Sequence, residues 1–404
     1  MVGYNIQNNK KIYGLHATTI ISLAQLLATS LWFSANSAAI DLMQQWQIKV
    51  ADIGWITNAV QAGFIIGTFV FAYTEIADRF KARHIFVCSA LLGAFFNFCF
   101  AWFAHGFMDA LIYRFLVGLC LAGIYPIGMK LIVLWAPHQA GRALAKLVAM
   151  LTLGTALPYF INSFPTHFAW QTVMICSSSL ALIAALLIYQ LGDPTISPKS
   201  QNIVSSGGTF QVFKIRKFRA AAIGYFGHMW ELYAFWTIIP LFIAKSGIPE
   251  KLGYNNISLL TFFVMACGAI GCLVGGYLSK YIGNRYVAIG SLSISGFSCL
   301  VFALGWRFLP AWFLLVLFAI WGASVIADSP QFSALSAQSC PSEKVGAALA
   351  IQNSIGFTLT IISIALTTYA FEIIGLDSAW ILLIGPILGV AGFYYSANKG
   401  VIHV

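Results

Sequence analysis

Twelve apolar runs, each of roughly 20 to 30 residues, most limit what this 404-residue chain can become. A helix needs about 20 apolar residues to cross the hydrocarbon core of a bilayer. The runs fall at 14–40, 52–73, 83–104, 107–131, 142–164 and 168–191, then at 218–244, 254–279, 283–306, 310–336, 343–370 and 377–397. Only 8% of residues are charged, against about 25% in a soluble domain. The expected fold class is an all-α membrane protein with twelve transmembrane helices in two six-helix lobes. The first run is too long for a cleaved signal peptide and is expected to stay as a helix.

The charges set an expected orientation. Of the 22 Lys and Arg, only Lys49, Lys245, Lys251 and Arg307 fall on one side, and Arg114 and Lys130 lie within a span. The remaining sixteen fall on the other side. Cytoplasmic loops carry the excess of Lys and Arg, so both termini and the central segment are expected in the cytoplasm, with the protein in the inner membrane. This placement also explains the net charge of +10 without nucleic acid. The eight cysteines are scattered, without a CxxC pair, and read as small hydrophobes.

Expected domains are an N-terminal lobe (1–192), a cytoplasmic linker (193–217) and a C-terminal lobe (218–404). The linker holds Pro194, Pro198, Gly207 and Gly208 and ends in Lys214, Arg216 and Lys217. The halves resemble each other. Pro137 opens a stretch ending Gly-Arg-Ala-Leu-Ala145, and Pro341 opens one ending Gly-Ala-Ala-Leu-Ala350. Upstream, Tyr125-Pro126 matches Ser329-Pro330. Parallel repeats of this kind build transporters.

Ionisable residues inside a span are functional candidates by default. Glu231 lies near the middle of the seventh run, and His228, three residues earlier, shares its helix face. Tyr225 extends that face. Asp328 sits deep in the tenth run, just before Pro330. Carboxyls at such depth take up and release a proton as water reaches them, so Glu231, Asp328 and His228 are the proton-coupling candidates. Arg114 lies about seven residues into the fourth run, a depth that suits an anion ligand or a partner for a carboxylate. Polar stripes at helical spacing add Trp32 and Asn36 in the first span, Gln61 in the second and Tyr159 in the fifth. The later spans add Tyr225, Gln331, Gln352 and Asn353. With Arg114, these are the substrate-binding candidates. The bland reading is that such groups only bond a neighbouring helix, for about 0.6 kcal/mol each. P-loops, metal-ligand spacings and Gly-x-Ser-x-Gly elbows are all missing, which argues against an ATPase or hydrolase.

Between the second and third runs stands Thr74-Glu-Ile-Ala-Asp78-Arg79-Phe-Lys-Ala-Arg83, echoed between the eighth and ninth by Gly276-Tyr-Leu278-Ser-Lys280-Tyr-Ile-Gly283-Asn-Arg285. The fourth run reads Arg114-Phe-Leu-Val-Gly118-Leu-Cys-Leu-Ala-Gly123. Along the whole chain this pattern resembles the major facilitator superfamily. The first loop keeps that family's aspartate and two basic residues but has Thr74, Lys81 and Ala82 at its two glycines and one arginine. The second loop keeps the glycines and loses the aspartate. The resemblance implies that Asp78, Arg79 and Arg83, with Gly276, Gly283 and Arg285, belong to an inner gate. Two departures narrow the choice. Leu157 precedes Pro158 where drug antiporters carry glycine, and spans two and eight lack the arginines of nitrate carriers.

The combined expectation is a secondary active transporter for a small polar solute, an organic anion or zwitterion, by proton-coupled uptake and alternating access. It is not an enzyme. The expected partners are solute, protons and membrane lipid, with a monomeric chain and without cofactor or metal. Proton-driven efflux is the alternative within transport. A non-transporting membrane sensor or scaffold is the alternative from another class.

Overall fold

The computed structural model describes residues 11–12, 14–74, 76–136, 140–164, 170–193, 209–341 and 345–398. The chain divides into two compact units, Met1–Ser200 and Gln201–Val404.

The first unit begins with a short hairpin, Lys11–Ile12 (β1) against Leu15–His16 (β2). The first span follows in three pieces, Ala17–Thr29 (α1), Ser34–Ser37 (α2) and Ala39–Trp46 (α3). Val50–Tyr73 (α4), Ile76–Arg79 (α5) and Ala82–Phe103 (α6) come next. Phe107–Ala122 (α7) and Tyr125–Trp135 (α8) share the fourth span, and Ala140–Asn162 (α9) and Gln171–Leu191 (α10) close the unit. The second unit holds Arg216–Lys245 (α11), Ile248–Leu252 (α12), Ile257–Ile282 (α13) and Asn284–Gly305 (α14). Ala311–Ala327 (α15) and Ser329–Gln338 (α16) share the tenth span, before Val345–Ile374 (α17) and Ala379–Asn398 (α18).

Among the described residues, nine stretches are long and apolar enough to cross a membrane, and one of them, Ala348–Ala397, covers most of both α17 and α18. The broken first span and the 30-residue α11 complete the twelve crossings. Large apolar side chains such as Phe95 (58% exposed) and Phe297 (65%) face outward, as they do where the surrounding solvent is lipid.

Three spans that read as continuous are interrupted. After Thr29 the chain tightens, with Leu31 N bonded to Ala28 O and Trp32 N to Thr29 O. The Ser30 hydroxyl donates to Leu27 O (2.7 Å), a side-chain bond that competes with the helix ladder. The fourth span breaks at Gly123–Ile124 and the tenth at Asp328. Each resumes with proline in the first turn, Pro126 in α8 and Pro330 in α16, where its missing N–H costs nothing. The first span also runs past residue 40 to Trp46, because α3 is amphipathic: Leu42 is buried while Asp41 and Gln44 are exposed.

The expected linker differs at its carboxyl end. Residues 194–208 lie outside the described residues, but Thr209–Lys214 forms a 3-10 helix. Val212 there is buried beside Phe218, Ala222 and Ala348. Outside the spans, Arg307 grips both oxygens of Asp377 at 3.1 and 2.5 Å, and Trp306 Nε1 donates to Oδ1 at 2.9 Å. The Arg307 bonds, then that of Trp306, hold the Asp377 carboxyl below its ordinary range.

Both units use one seam. A Cβ on Gly63 in α4 would strike Phe115 O, and one on Gly118 in α7 would strike Val60 O. In the second unit a Cβ on Gly271 in α13 would strike Ala323 O, and one on Gly322 in α15 would strike Val264 O. Without a hydrophobic drive between helices in lipid, such close backbone approach is a main source of attraction. Gly118→Val is therefore expected to destabilise by about 1–3 kcal/mol, the usual cost of overpacking. Gly290→Ala, which meets nothing within 4 Å, should leave stability unchanged. Thermal unfolding in detergent compares them, and equal midpoints would refute the seam.

Candidate functional site

In the first unit, the break in the first span frees two carbonyls within the unit's interior. Arg114 on α7 reaches both: Nη2 donates to Leu31 O at 2.8 Å and to Trp32 O at 2.6 Å. Nη1 donates to Ser34 Oγ (3.1 Å) and Asn97 Oδ1 (2.9 Å). Asn97 on α6 is held from its other end, donating to Met174 O (2.9 Å) and Ser178 Oγ (3.1 Å) on α10. Arg114, Ser34 and Asn97 are fully buried. The sequence placed Arg114 among solute ligands by its depth. The structure commits the guanidinium to the protein itself, where it closes a helix break. Asn97 escaped the sequence reading, since one amide in an apolar run carries no mark of its partners.

Close to that break are several of the other candidates. Trp32 is buried, its ring centroid 5.0 Å from that of Phe64 on α4. Asn36 on α2 donates from Nδ2 to Thr57 Oγ1 at 2.7 Å, leaving its Oδ1 without a hydrogen-bond partner among the described residues. The Gln61 amide on α4 and the Tyr159 hydroxyl on α9 are buried and make no hydrogen bond among the described residues. Native interiors pair the large majority of buried polar atoms, so each exception calls for a role.

In the second unit, α11 carries a buried acid. Glu231 is fully buried and accepts at both oxygens, from Ser295 Oγ on α14 to Oε2 (2.7 Å) and from Trp321 Nε1 on α15 to Oε1 (2.7 Å). His228 Nδ1 lies 2.8 Å from Asp328 Oδ1, both residues fully buried. Asp328 sits at the break between α15 and α16, where the backbone bends. The sequence pairing of Glu231 with His228 is thus resolved into two neighbouring contacts rather than one. Tyr225 packs its ring 5.8 Å from the His228 ring. Gln331 on α16 is buried, the Gln352 amide on α17 is buried without a hydrogen bond among the described residues, and Asn353 is half-buried. Ser295 and Trp321 were missed: α14 has four serines, and only packing decides which of them reaches the acid.

The gate candidates are spread. The Asp78 side chain lies outside the described residues, and Arg79 on α5 is exposed. Arg83 Nε lies 3.4 Å from Asp193 Oδ2, with its guanidinium 5.6 Å from the Tyr189 ring. Gly283 turns the chain between α13 and α14 with φ +87°, a conformation that suits glycine. Gly276 is half-buried, and Arg285 lies over the rings of Phe393 (5.6 Å) and Tyr394 (5.9 Å).

The Major Facilitator Superfamily profile matches residues 21–365. The chain belongs to the major facilitator superfamily. That family and the relatives below are transporters, not enzymes. The chain is similar to the niacin transporter NiaP of Acinetobacter baylyi, 28% identical over 38% of this chain and 34% of that protein. It matches 39% of a putative niacin/nicotinamide transporter of Bacillus subtilis, so these two matches span well under half of each relative. A 3-(3-hydroxy-phenyl)propionate transporter of Escherichia coli is 25% identical over 74% of each chain. Among solved structures, a mutant of the nucleoside transporter NupG shares the fold, with TM-score 0.73 and 14% identity over 95% of this chain and all of that one.

Removing the clasp tests its role. Arg114→Ala removes a donor from the Trp32 carbonyl and leaves the Leu31 carbonyl only the Ser34 hydroxyl (3.0 Å), at about 1–3 kcal/mol for a buried acceptor left unsatisfied. The expected result is a large fall in the thermal midpoint in detergent, matched in direction by Asn97→Ala. An unchanged midpoint for Arg114→Ala would return the residue to the solute ligands.

Proposed function

We propose that this superfamily member is a secondary active transporter that takes up a small organic anion or zwitterion together with protons. The observation that carries the reading is the buried cluster on α11: Glu231 with its two donors, and the His228–Asp328 contact. Acids at such depth are expensive and mark proton relays. In each unit by itself, buried polar atoms without a hydrogen bond among the described residues support a polar solute: Asn36 Oδ1, the Gln61 amide and the Tyr159 hydroxyl in the first, and the Gln352 amide in the second. Relatives named for niacin and hydroxyphenylpropionate support an acid as solute. Arg114 is left out of this set because Nη1 and Nη2 already donate to four protein acceptors, with Nε alone making no hydrogen bond among the described residues. Arg79, Arg83 and Arg285 fit the inner gate that the family pattern implies, together with Asp78, Gly276 and Gly283.

The excess of Lys and Arg supports cytoplasmic termini in an inner membrane. A reporter active only outside the cytoplasm, fused after Val404, is expected to stay silent. A bright signal would reverse the orientation and every loop assignment with it.

Coupling is tested by Glu231→Gln, which keeps shape and most hydrogen-bonding capacity while removing the titration. In liposomes, accumulation driven by a pH gradient should vanish while exchange without a gradient persists. Niacin and 3-(3-hydroxyphenyl)propionate are the first solutes to supply. Asp328→Asn should match this behaviour only if the two acids share the proton. Full gradient-driven accumulation by Glu231→Gln would remove the coupling role.

A further inference from the structure

The two donors on Glu231 are chemically unequal. An indole N–H donates and never accepts. Trp321 is also fixed: its ring stacks on Phe235 at 4.3 Å and 24°, with Phe302 at 6.1 Å and Phe318 at 6.4 Å around it. Oε1 therefore accepts from Trp321 whether or not Glu231 carries a proton. A proton placed on Oε1 would point at the indole N–H, donor against donor, at a heavy-atom distance of 2.7 Å.

Oε2 faces a different group. A serine hydroxyl is both donor and acceptor and rotates freely about its C–O bond. Ser295 Oγ lies 2.7 Å from Oε2. In helices such hydroxyls commonly donate to the carbonyl three or four residues earlier, as Ser298 does here to Ile294 O at 2.9 Å. For Ser295 that carbonyl belongs to Ser291 or Leu292.

We infer that Ser295 is the switch that seats the transported proton on Oε2 of Glu231. The inference rests on the reading of Glu231 as the coupling acid. In the charged state Ser295 donates to Oε2. When a proton binds, it occupies Oε2 and is donated to Ser295 Oγ, whose own hydrogen turns to the backbone carbonyl one turn back. One O–H bond forms on Glu231, no other covalent bond changes, and Trp321 keeps its bond throughout. Both charge states are thereby fully hydrogen-bonded in a dry interior, which lets the acid cycle between them. The titratable groups around Glu231 are His228 on its own helix, Asp328 at the α15–α16 break and Cys299 on α14, whose thiol donates to Ala379 O at 3.2 Å. Apart from these, the acid faces neutral side chains among the described residues.

Infrared difference spectra of the full chain in liposomes, recorded between acidic and alkaline pH, test the seat. The protonated carboxyl gives a C=O stretching band, assigned to Glu231 by its loss in Glu231→Gln. The carbonyl oxygen is then Oε1, so Trp321→Phe should move the band to higher wavenumber. Ser295→Ala should leave the C=O position in place and reduce gradient-driven accumulation, with rescue by Ser295→Thr, which keeps the hydroxyl. A band that moves with Ser295→Ala and ignores Trp321→Phe puts the proton on Oε1 and overturns the inference while sparing the coupling acid. Normal accumulation by Ser295→Ala overturns the switch in the same way. A spectrum without any band sensitive to Glu231→Gln overturns the coupling role of Glu231, and the seat with it.

Discussion

In hydrocarbon a backbone carbonyl that leaves its helix ladder must find another donor, at several kcal/mol if it fails. The first span breaks that ladder between Thr29 and Ser34, and the rest of the N-terminal lobe is arranged around the repair. Arg114 brings two nitrogens to the Leu31 and Trp32 carbonyls. Asn97 turns its oxygen to the guanidinium and its amide to α10, so four spans meet at one polar knot. The break in turn displaces Trp32 and Asn36 from a straight helix and sets them against α4. Trp32 and Asn36 in this lobe thus owe their placement to a guanidinium bound to the protein's own backbone.

The two lobes share a scaffold and differ in content. The same glycine seam joins α4 to α7 and α13 to α15, and a proline restarts the fourth and tenth spans at matching places. Inside that frame the first lobe buries a cation surrounded by neutral acceptors. The second buries two acids, one held by neutral donors and one against an imidazole.

The sequence made the spans, the repeat and the buried ionisable residues legible because burial in lipid writes long apolar runs, and a charge inside one stands out. Glu231, His228 and Asp328 were visible on that ground alone. Their partners were not. Ser295 sits among several serines and Trp321 among many aromatics, and the distance in sequence between donor and acceptor erases any local pattern. Arg114 was seen but its partners were not, for a related reason: depth shows that a charge needs a partner, and only the helix break shows that two of those partners are backbone. The breaks in the first and fourth spans were hidden, since a few residues of tightened turn do not interrupt an apolar run, while Pro330 marked the one beside Asp328.

The polar knots also differ in the order in which a growing chain can tie them. Arg114 is synthesised after Leu31, Trp32, Ser34 and Asn97, so it enters the bilayer with all four acceptors already made. Glu231 enters before either donor: Ser295 follows it by 64 residues and Trp321 by 90. Until α14 and α15 arrive, α11 carries an unpartnered acid, and the nascent C-terminal half must keep that helix near water or hold the acid neutral. The amino-terminal half can lock its interior as it is made, whereas the other half finishes only near the end of translation.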